Sequence, residues 1–205
     1  MKAASSPKDI AGTAPEAARA LLEGRHGDPF AVLGRHPHPA GASVRALRPG
    51  ATAMRIEDGP PLVRVADTAL FEWHGDASRL APRYRLQWRD DDGHWHTGHD
   101  PYVFAPQLPD FDLHLYGEGR HRHAQRLLGA RCHAVDGIDG VLFSVWAPNV
   151  ERASVVGDWN GWDGRVHPMR ARGSSGVFEL FVPGIGAGAL YKFELRTRPH
   201  GAVVL

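Results

Sequence analysis

The sequence predicts an all-β chain in which two β-sandwiches follow one another, with short helices at the N-terminus and between them. Short apolar runs separated by Pro, Gly and Asp fill residues 42–104, and a second β region begins at Val141. The two regions resemble each other, which favours two copies of one fold. A chain of 205 residues is long enough for one or two domains.

The internal repeat consists of three matching pairs of segments. They are Leu47-Arg-Pro49 with Trp146-Ala-Pro148, Phe71-Glu-Trp73 with Phe178-Glu-Leu180, and Tyr84-Arg-Leu-Gln-Trp88 with Tyr191-Lys-Phe-Glu-Leu195. The spacing between partners is larger in the later two pairs. We therefore expect an inserted loop in the second copy around residues 158–165. Chance similarity between short β segments is the alternative.

Composition divides the chain into four segments. Residues 1–27 are expected to form a mobile N-terminus and a short helix, and residues 28–105 the first sandwich. Residues 106–135 are expected to form a linker that carries a short helix, because three prolines lie within this segment or just before it. The second sandwich is expected over residues 136–205, and the apolar run that closes it suggests a chain truncated at its C-terminal end.

Two short helices are expected from their terminal signals. Residues 13–16 form a capping box with a proline in the first turn, and the helix that follows should end at Gly24. The second helix should run over residues 118–128 and stop at Gly129. Both would flank the sandwiches without forming a layer of their own.

Charge and composition exclude several classes of function. The formal net charge of +1 argues against nucleic-acid or membrane-surface binding driven by charge. No apolar run approaches the roughly 20 residues that span a bilayer, and residues 1–13 lack the apolar segment of a signal peptide. The single cysteine, Cys132, fits a reducing compartment. We therefore expect a cytoplasmic protein that binds neither nucleic acid nor membrane.

The stretch from Gly157 to Asp163 places two indoles, Trp159 and Trp162, in one polar, glycine-rich loop. A tryptophan on a loop is a flat apolar plate with one donor, which suits stacking on a sugar ring. Trp146 instead lies within an alternating strand and is expected in the core. His94 and His96 could share a strand face, but the surrounding residues lack usual zinc spacing, so we expect no metal and no cofactor.

Several motifs, taken in order, resemble the N-terminal part of bacterial glycogen branching enzymes. In the second half, Phe143-Ser-Val-Trp-Ala-Pro-Asn149, the run from Ser154 to Arg165, His167-Pro-Met169 and Leu190-Tyr-Lys-Phe193 resemble a family-48 carbohydrate-binding module. In the first half, Asp28-Pro-Phe-Ala-Val-Leu-Gly34, Val44-Arg-Ala-Leu47, Asp100-Pro-Tyr102 and Glu118-Gly-Arg-His121 with Leu128-Gly-Ala130 resemble the extra N-terminal module of longer members. The resemblance implies immunoglobulin-like sandwiches.

The resemblance implies a 1,4-α-glucan branching enzyme, which cleaves an α-1,4-glucan and transfers the fragment to a 6-hydroxyl. That chemistry belongs to a family-13 (β/α)₈ barrel of about 250 residues. No alternation of strands and helices is present to build one. We therefore expect no catalytic residues here and a chain that is inactive alone, with α-1,4-glucan or glycogen and the catalytic barrel as partners. The rivals are a freestanding glucan-binding scaffold protein and the same modules of a debranching relative.

The resemblance also implies sugar contacts in the second module. Trp162 matches a tryptophan that stacks on glucose in related modules, and Lys192 matches a lysine that binds sugar hydroxyls. Trp159 is a second stacking candidate, and Asn160 and Asp158 could serve hydroxyls. The alternatives are indoles packed within their own loop, a solvated lysine, and polar side chains that only hold a turn.

Overall fold

The computed structural model describes residues 15–198 and 201–205. The strands of the first sandwich are β1 (Gly34–His38), β2 (Gly41–Leu47), β3 (Ala53–Ile56), β4 (Pro61–Arg64), β5 (Leu70–Gly75), β6 (Arg85–Arg89) and β7 (Trp95–His99). Those of the second are β8 (Gly129–Val135), β9 (Ile138–Trp146), β10 (Val150–Gly157), β11 (Arg170–Ala171), β12 (Val177–Pro183), β13 (Tyr191–Thr197) and β14 (Val203–Val204). The all-β prediction is therefore confirmed. The described residues include no helix long and apolar enough to cross a membrane.

The first sandwich is a single antiparallel sheet that folds over on itself. Its strand order is β1-β2-β5-β4-β3-β6-β7. The short β4 pairs with β5 on one side and with β3 on the other, so it belongs to both halves. Alternation along β2 turns Val44 inward, where it shares a core with Phe71, Trp73 and Leu86.

The second sandwich consists of two separate antiparallel sheets. One has the order β11-β12-β9-β8 and the other the order β10-β13-β14. Phe143 of β9, Val155 of β10 and Leu180 of β12 are fully buried between the two sheets. Strand β8 falls within the stretch that the sequence analysis gives to the linker.

Strand pairing repeats between the two sandwiches. The pairs β1–β2, β2–β5, β4–β5, β3–β6 and β6–β7 of the first correspond in order to β8–β9, β9–β12, β11–β12, β10–β13 and β13–β14 of the second. This correspondence supports the repeat inferred from the sequence. The inserted loop follows β10, the counterpart of β3, where the spacing of the matched segments places it.

The segment between the sandwiches packs on the outer face of the four-stranded sheet. Helix α2 (Asp110–Gly117) buries Leu113 in a cluster that also contains Leu142 and Phe181 of that sheet. The buried carboxylate of Glu179 accepts the backbone N–H groups of Gln107 (3.1 Å) and Leu108 (2.8 Å). The linker is therefore anchored to the second sandwich by both apolar and polar contacts.

The predicted positions of the second helix and of one tryptophan are wrong. The helix expected over residues 118–128 lies earlier, as α2, and the expected stretch contains a single 3₁₀ turn at Ala124–Arg126. Apolar burial of Leu113 selects the earlier segment. Trp146, expected in the core, is 51% exposed because it lies at the end of β9 on the outer face, 6.2 Å from the ring of Tyr116.

The N-terminal helix ends where the sequence predicts. Helix α1 (Pro15–Leu22) is followed by Gly24, whose φ of +63° is left-handed and whose N–H donates to the carbonyl of Leu21 at 3.0 Å. The side chain of Leu21 is buried in a cluster with Leu47 of β2. The expected mobile N-terminus and Thr13, where the capping box begins, lie outside the described residues.

The two sandwiches contact each other through buried side chains. Tyr102, which follows β7, places its hydroxyl 3.3 Å from the carbonyl of Val166 and 3.2 Å from that of Pro168. The ring of Tyr102 meets Phe30 edge to face at 5.0 Å, and the guanidinium of Arg170 lies 3.5 Å from the Phe30 ring centre. These contacts join the first module to the segment that follows the inserted loop.

Candidate functional site

The inserted loop begins with one 3₁₀ turn, Asp158–Asn160, held by the Asn160 side chain. Its Oδ1 accepts the N–H of Gly157 at 2.9 Å, and its Nδ2 donates to the carbonyl of Val155 and to Nδ1 of His167, both at 2.9 Å. Asn160 is buried, so its polar atoms act within the protein. Its geometry is that of a residue that fixes the loop.

Trp159 turns inward from the same loop. Its ring stacks on Phe143 with a centroid distance of 5.8 Å and an interplanar angle of 22°. A Cβ at Gly157 would lie 2.3 Å from the Trp159 ring, so only glycine permits this approach. The Nε1 atom of Trp159 is buried and has no hydrogen-bond partner among the described residues.

Trp162 is the exposed indole of the loop. Its side chain is 40% exposed, and its backbone has a left-handed φ of +59°. Its Nε1 donates to Oδ1 of Asp158, which is itself exposed, at 2.8 Å. This hydrogen bond orients the ring while part of its surface stays in solvent.

Lys192 lies on the neighbouring strand, beside the end of β10. The register pairs Gly157 with Tyr191 and Val156 with Lys192. The ring of Tyr191 faces the core, where its centroid lies 5.0 Å from that of Phe143. Lys192 therefore projects from the opposite, outer face of the three-stranded sheet, where it is exposed.

A buried arginine fastens the inserted loop to this outer face. Arg152 of β10 donates from Nη1 to the carbonyl of Gly164 and to Oγ of Ser154, both at 2.6 Å, and pairs through Nη2 with Glu194 of β13. Ser154 and Glu194 face each other across the strand pair. The loop thus lies over the same sheet face from which Lys192 projects.

The structure therefore separates the five candidate residues into two groups. Trp162 and its partner Asp158 lie at the surface of the loop, and Lys192 is exposed on the sheet face that the loop crosses. Trp159 and Asn160 point into the protein. An exposed indole can stack on one face of a sugar, and an exposed amine on the same side of the module can donate to sugar hydroxyls.

The inner side of the loop is electrostatically unusual because two basic side chains meet there. His167 is buried, and desolvation, with a smaller contribution from the nearby Arg48 of the first module, lowers its pKa to about 3. Desolvation also lowers the pKa of Arg48 to about 10, which the charge of Asp163 partly opposes. At neutral pH His167 is therefore neutral, which agrees with its Nδ1 accepting from Asn160.

Acid is expected to destabilise the chain through His167. Its pKa is lower in the folded chain than in an unfolded one, where it is about 6.5. Its contribution to stability is therefore fully present above pH about 6.5 and is lost as the pH falls toward 3. Urea unfolding at pH 7 and pH 5 should show a loss of about 2 kcal/mol for the wild type relative to His167→Asn.

The His167→Asn control is needed because Asp100 titrates in the opposite direction. Burial raises the pKa of the Asp100 carboxyl to about 6, so its contribution to stability is lost as the pH rises. This effect is common to both proteins and cancels in their difference. Equal pH dependence in wild type and variant would contradict the assignment to His167.

One group of side chains among the described residues could hold a metal ion. It consists of Asp90, Asp92 and His94, on the turn between β6 and β7. The group is largely exposed, and Asp90 also contacts Nε2 of His96 at 2.7 Å. Exposed acidic groups are common without an ion. The absence of a bound metal thus stays a prediction of the sequence.

Two arginines that contact the loop region from elsewhere in the chain are not among the candidates that the sequence offers. Arg152 forms contacts with Gly164 and Glu194, both distant in sequence, and Arg48 reaches His167 from the other module. The one local signal is the position of Arg152 within an otherwise mostly apolar run. Such a residue must either be paired when buried or lie outside the core.

Comparisons with known proteins agree with the two-module organisation. The family model for the N-terminal domain of the alpha-1,4-glucan branching enzyme GlgB matches residues 14–102. That for carbohydrate-binding module 48 (isoamylase N-terminal domain) matches residues 127–205. Together these models cover both sandwiches.

Relatives match almost the whole chain. The 1,4-alpha-glucan branching enzyme GlgB of Methylococcus capsulatus is 54% identical over 186 residues, which are 90% of this chain and 25% of the relative. That of Nitrosococcus oceani is 50% identical over 202 residues, 98% of this chain and 27% of the relative. That of Pseudomonas aeruginosa is 49% identical over 188 residues, which are 86% of this chain and 25% of the relative.

The chain spans about a quarter of the length of these curated relatives. The chain is therefore similar to the N-terminal region of GlgB branching enzymes, with a match to the GlgB N-terminal domain followed by one to carbohydrate-binding module 48.

Proposed function

We propose that this chain is the glucan-associated, non-catalytic part of a 1,4-α-glucan branching enzyme. In the complete enzyme an α-1,4-glucan segment is transferred to a 6-hydroxyl, and an α-1,6 branch is formed. The supporting observation is that branching enzymes match 90% and 98% of the chain, both modules included, while the described residues form two sandwiches rather than a barrel. The chain alone binds the polymer and does not carry out the transfer.

The glucan contacts the outer surface of the second module at Trp162, Asp158 and Lys192. The observation that carries this proposal is the half-exposed indole of Trp162, oriented by its hydrogen bond to Asp158. The apolar face of a glucose ring packs on the indole, and the Lys192 amine donates to hydroxyls. Trp159 and Asn160 act from beneath by holding the loop.

The proposed role is to position a long polymer relative to the catalytic barrel. Binding energy realised far from the reacting bond can orient a substrate there. The relatives are about four times as long as this chain, so a large partner region remains to be contacted. The exposed ring of Trp146, beside Tyr116, is the apolar surface that we assign to the barrel.

We place this activity in the cytoplasm. The supporting observation is the single cysteine, Cys132, which fits a reducing compartment. The glucan and the barrel are the only partners that the proposal requires.

Trp162→Ala should weaken binding to glycogen at least tenfold without unfolding the chain. The side chain is 40% exposed, so its removal costs little stability. A tryptophan at the centre of a contact surface commonly contributes about 1.4 kcal/mol or more to binding. Co-sedimentation with glycogen over a range of polymer concentrations gives the two dissociation constants. Thermal unfolding shows whether both proteins are equally folded.

Trp95→Ala is the matched control for this measurement. Trp95 is 46% exposed on the first module, where the guanidinium of Arg55 lies 4.6 Å from its ring centre. Its loss should leave glycogen binding nearly unchanged. The reverse result, with binding lost in Trp95→Ala and kept in Trp162→Ala, would move the glucan contact to the first module.

A further inference from the structure

A cleft of about 330 Å³ lies between the two sandwiches. The first module contributes Arg48, Trp88 and His99 to its lining, and the second contributes Trp159 and Ile185. Trp162 and Lys192 are not among its lining residues, so the cleft is separate from the outer surface described above. Its volume is at the lower end of the range for small-molecule pockets, about 300–1000 Å³.

The guanidinium of Arg48 has unused hydrogen-bonding capacity at this cleft. It lies 4.1 Å from the ring centre of Trp88, and within the described part of the chain it makes no hydrogen bond. Asp163 is the one opposite charge that acts on it appreciably. Arg48 is partly buried and its N–H groups are not sealed from solvent, so a ligand that accepts them would take the place of water there.

Two further polar atoms of cleft-lining residues are unpaired. Nε1 of Trp159 and Nδ1 of His99 are buried and have no hydrogen-bond partner within the described ranges. An indole N–H can only donate, and it therefore requires an acceptor. Two of the six buried, unpaired side-chain atoms among the described residues thus belong to residues that line this cleft, and both are sealed from solvent in this conformation.

The lining favours a neutral polyol over an anion. The side chains of Trp88, Trp159 and Ile185 contribute apolar surface to the lining, and Arg48 offers donors to hydroxyl oxygens. The other arginine of the lining, Arg85, is paired with Glu57 at 3.1 Å. The carboxylates of Asp163, near Arg48, and of Asp100, in the lining, disfavour a negatively charged ligand. A pyranose ring combines apolar C–H faces with a rim of hydroxyls and matches this lining.

We propose that the cleft binds the terminal glucosyl units of an α-1,4-glucan chain. The proposal rests on the proposed function for the identity of the polymer but uses a different site. The small volume of the cleft admits one or two sugar rings and not a continuous chain, so the chain enters by its end. A chain end held here and another segment held at Trp162 attach one polymer at two points, which raises its effective concentration.

Maltose titration of the 205-residue chain carrying Trp162→Ala tests the proposal. Calorimetry is expected to show one maltose bound per chain, with a change in tryptophan fluorescence from Trp88 and Trp159. Adding Arg48→Gln should weaken this binding at least tenfold, because the hydroxyls lose their donor. Adding Gly98→Leu in place of Arg48→Gln should also weaken maltose binding at least tenfold, because the leucine side chain would fill part of the cleft. Gly98 lines the cleft, and a Cβ there would lie 3.5 Å from the Trp88 ring.

Arg55→Gln is the control because Arg55 stacks on Trp95 in a similar way outside the cleft. It should leave maltose binding unchanged. If Arg48→Gln fails to fold, Gly98→Leu still tests the cleft, and circular dichroism identifies which variants are folded.

The outcomes distinguish the cleft from the outer surface. If the wild type binds maltose and folded Trp162→Ala does not, the cleft proposal is overturned while the outer surface stands. If Trp162→Ala binds as tightly as wild type and Arg48→Gln abolishes binding, the cleft stands and the outer surface fails. Binding of inorganic phosphate that depends on Arg48, with no maltose binding by Trp162→Ala, would identify an anion site and also overturn the proposal.

Discussion

Glu179→Ala is expected to lower the free energy of unfolding by about 3–5 kcal/mol, because it removes one partner of a buried ion pair. The carboxylate of Glu179 lies 2.9 Å from Nη1 of Arg172 and accepts the N–H groups of Gln107 and Leu108. Alanine would leave a buried guanidinium and two backbone donors without this acceptor. Urea denaturation followed by circular dichroism measures the change.

Asp110→Ala is the matched control, since Asp110 contacts the same arginine from the surface. Its side chain is 95% exposed and lies 2.5 Å from Nη2 of Arg172. Solvent screens an exposed pair, so its loss should have a much smaller effect. Equal destabilisation by the two substitutions would show that burial of the pair is not what makes Glu179 important.

Arg152→Ala is expected to have an effect of similar size, about 3–5 kcal/mol, and also to weaken glycogen binding. Arg152 connects β10, β13 and the inserted loop through Ser154, Glu194 and Gly164. Its removal leaves the Glu194 carboxylate without its partner and frees the loop that carries Trp162. Urea unfolding gives the stability, and co-sedimentation at low temperature, where the variant is still folded, gives the binding.

Arg165→Ala separates the loss of a positive charge from the loss of the loop anchor. Arg165 lies in the same loop but is exposed and bonds only to Asp163 within the described part of the chain. Its substitution should leave both stability and glycogen binding close to wild type. A loss of glycogen binding in Arg165→Ala equal to that in Arg152→Ala would indicate that charge, rather than loop position, governs the interaction.

The fold was accessible from the sequence because its signals are local. Alternation in β2 and β5 and the turns between strands are set by neighbouring residues. The matched segments also have the correct pairing partners, since β2 pairs with β5 as β9 pairs with β12. The end of helix α1 was predictable for the same reason, because Gly24 is a local stop signal.

The details that were missed depend on contacts between distant parts of the chain. Alternation shows that Trp146 belongs to a strand, but which outer-face residues are covered depends on where α2 packs. From the sequence, Asn160 resembles a surface turn residue, and only the structure shows that its side chain bonds to His167. The cleft requires side chains from both modules, and no pattern within either one indicates that Arg48 and Trp159 line the same cavity.

The left-handed backbone conformation of Trp162 lowers the stability of the inserted loop. A left-handed conformation costs a residue with a Cβ about 1–2 kcal/mol, whereas glycine adopts it freely. A protein engineer who ranked substitutions by thermal stability alone would choose glycine at this position. That choice would remove the exposed indole, so a residue whose conformation weakens the loop is also the one that gives the loop a surface for recognition.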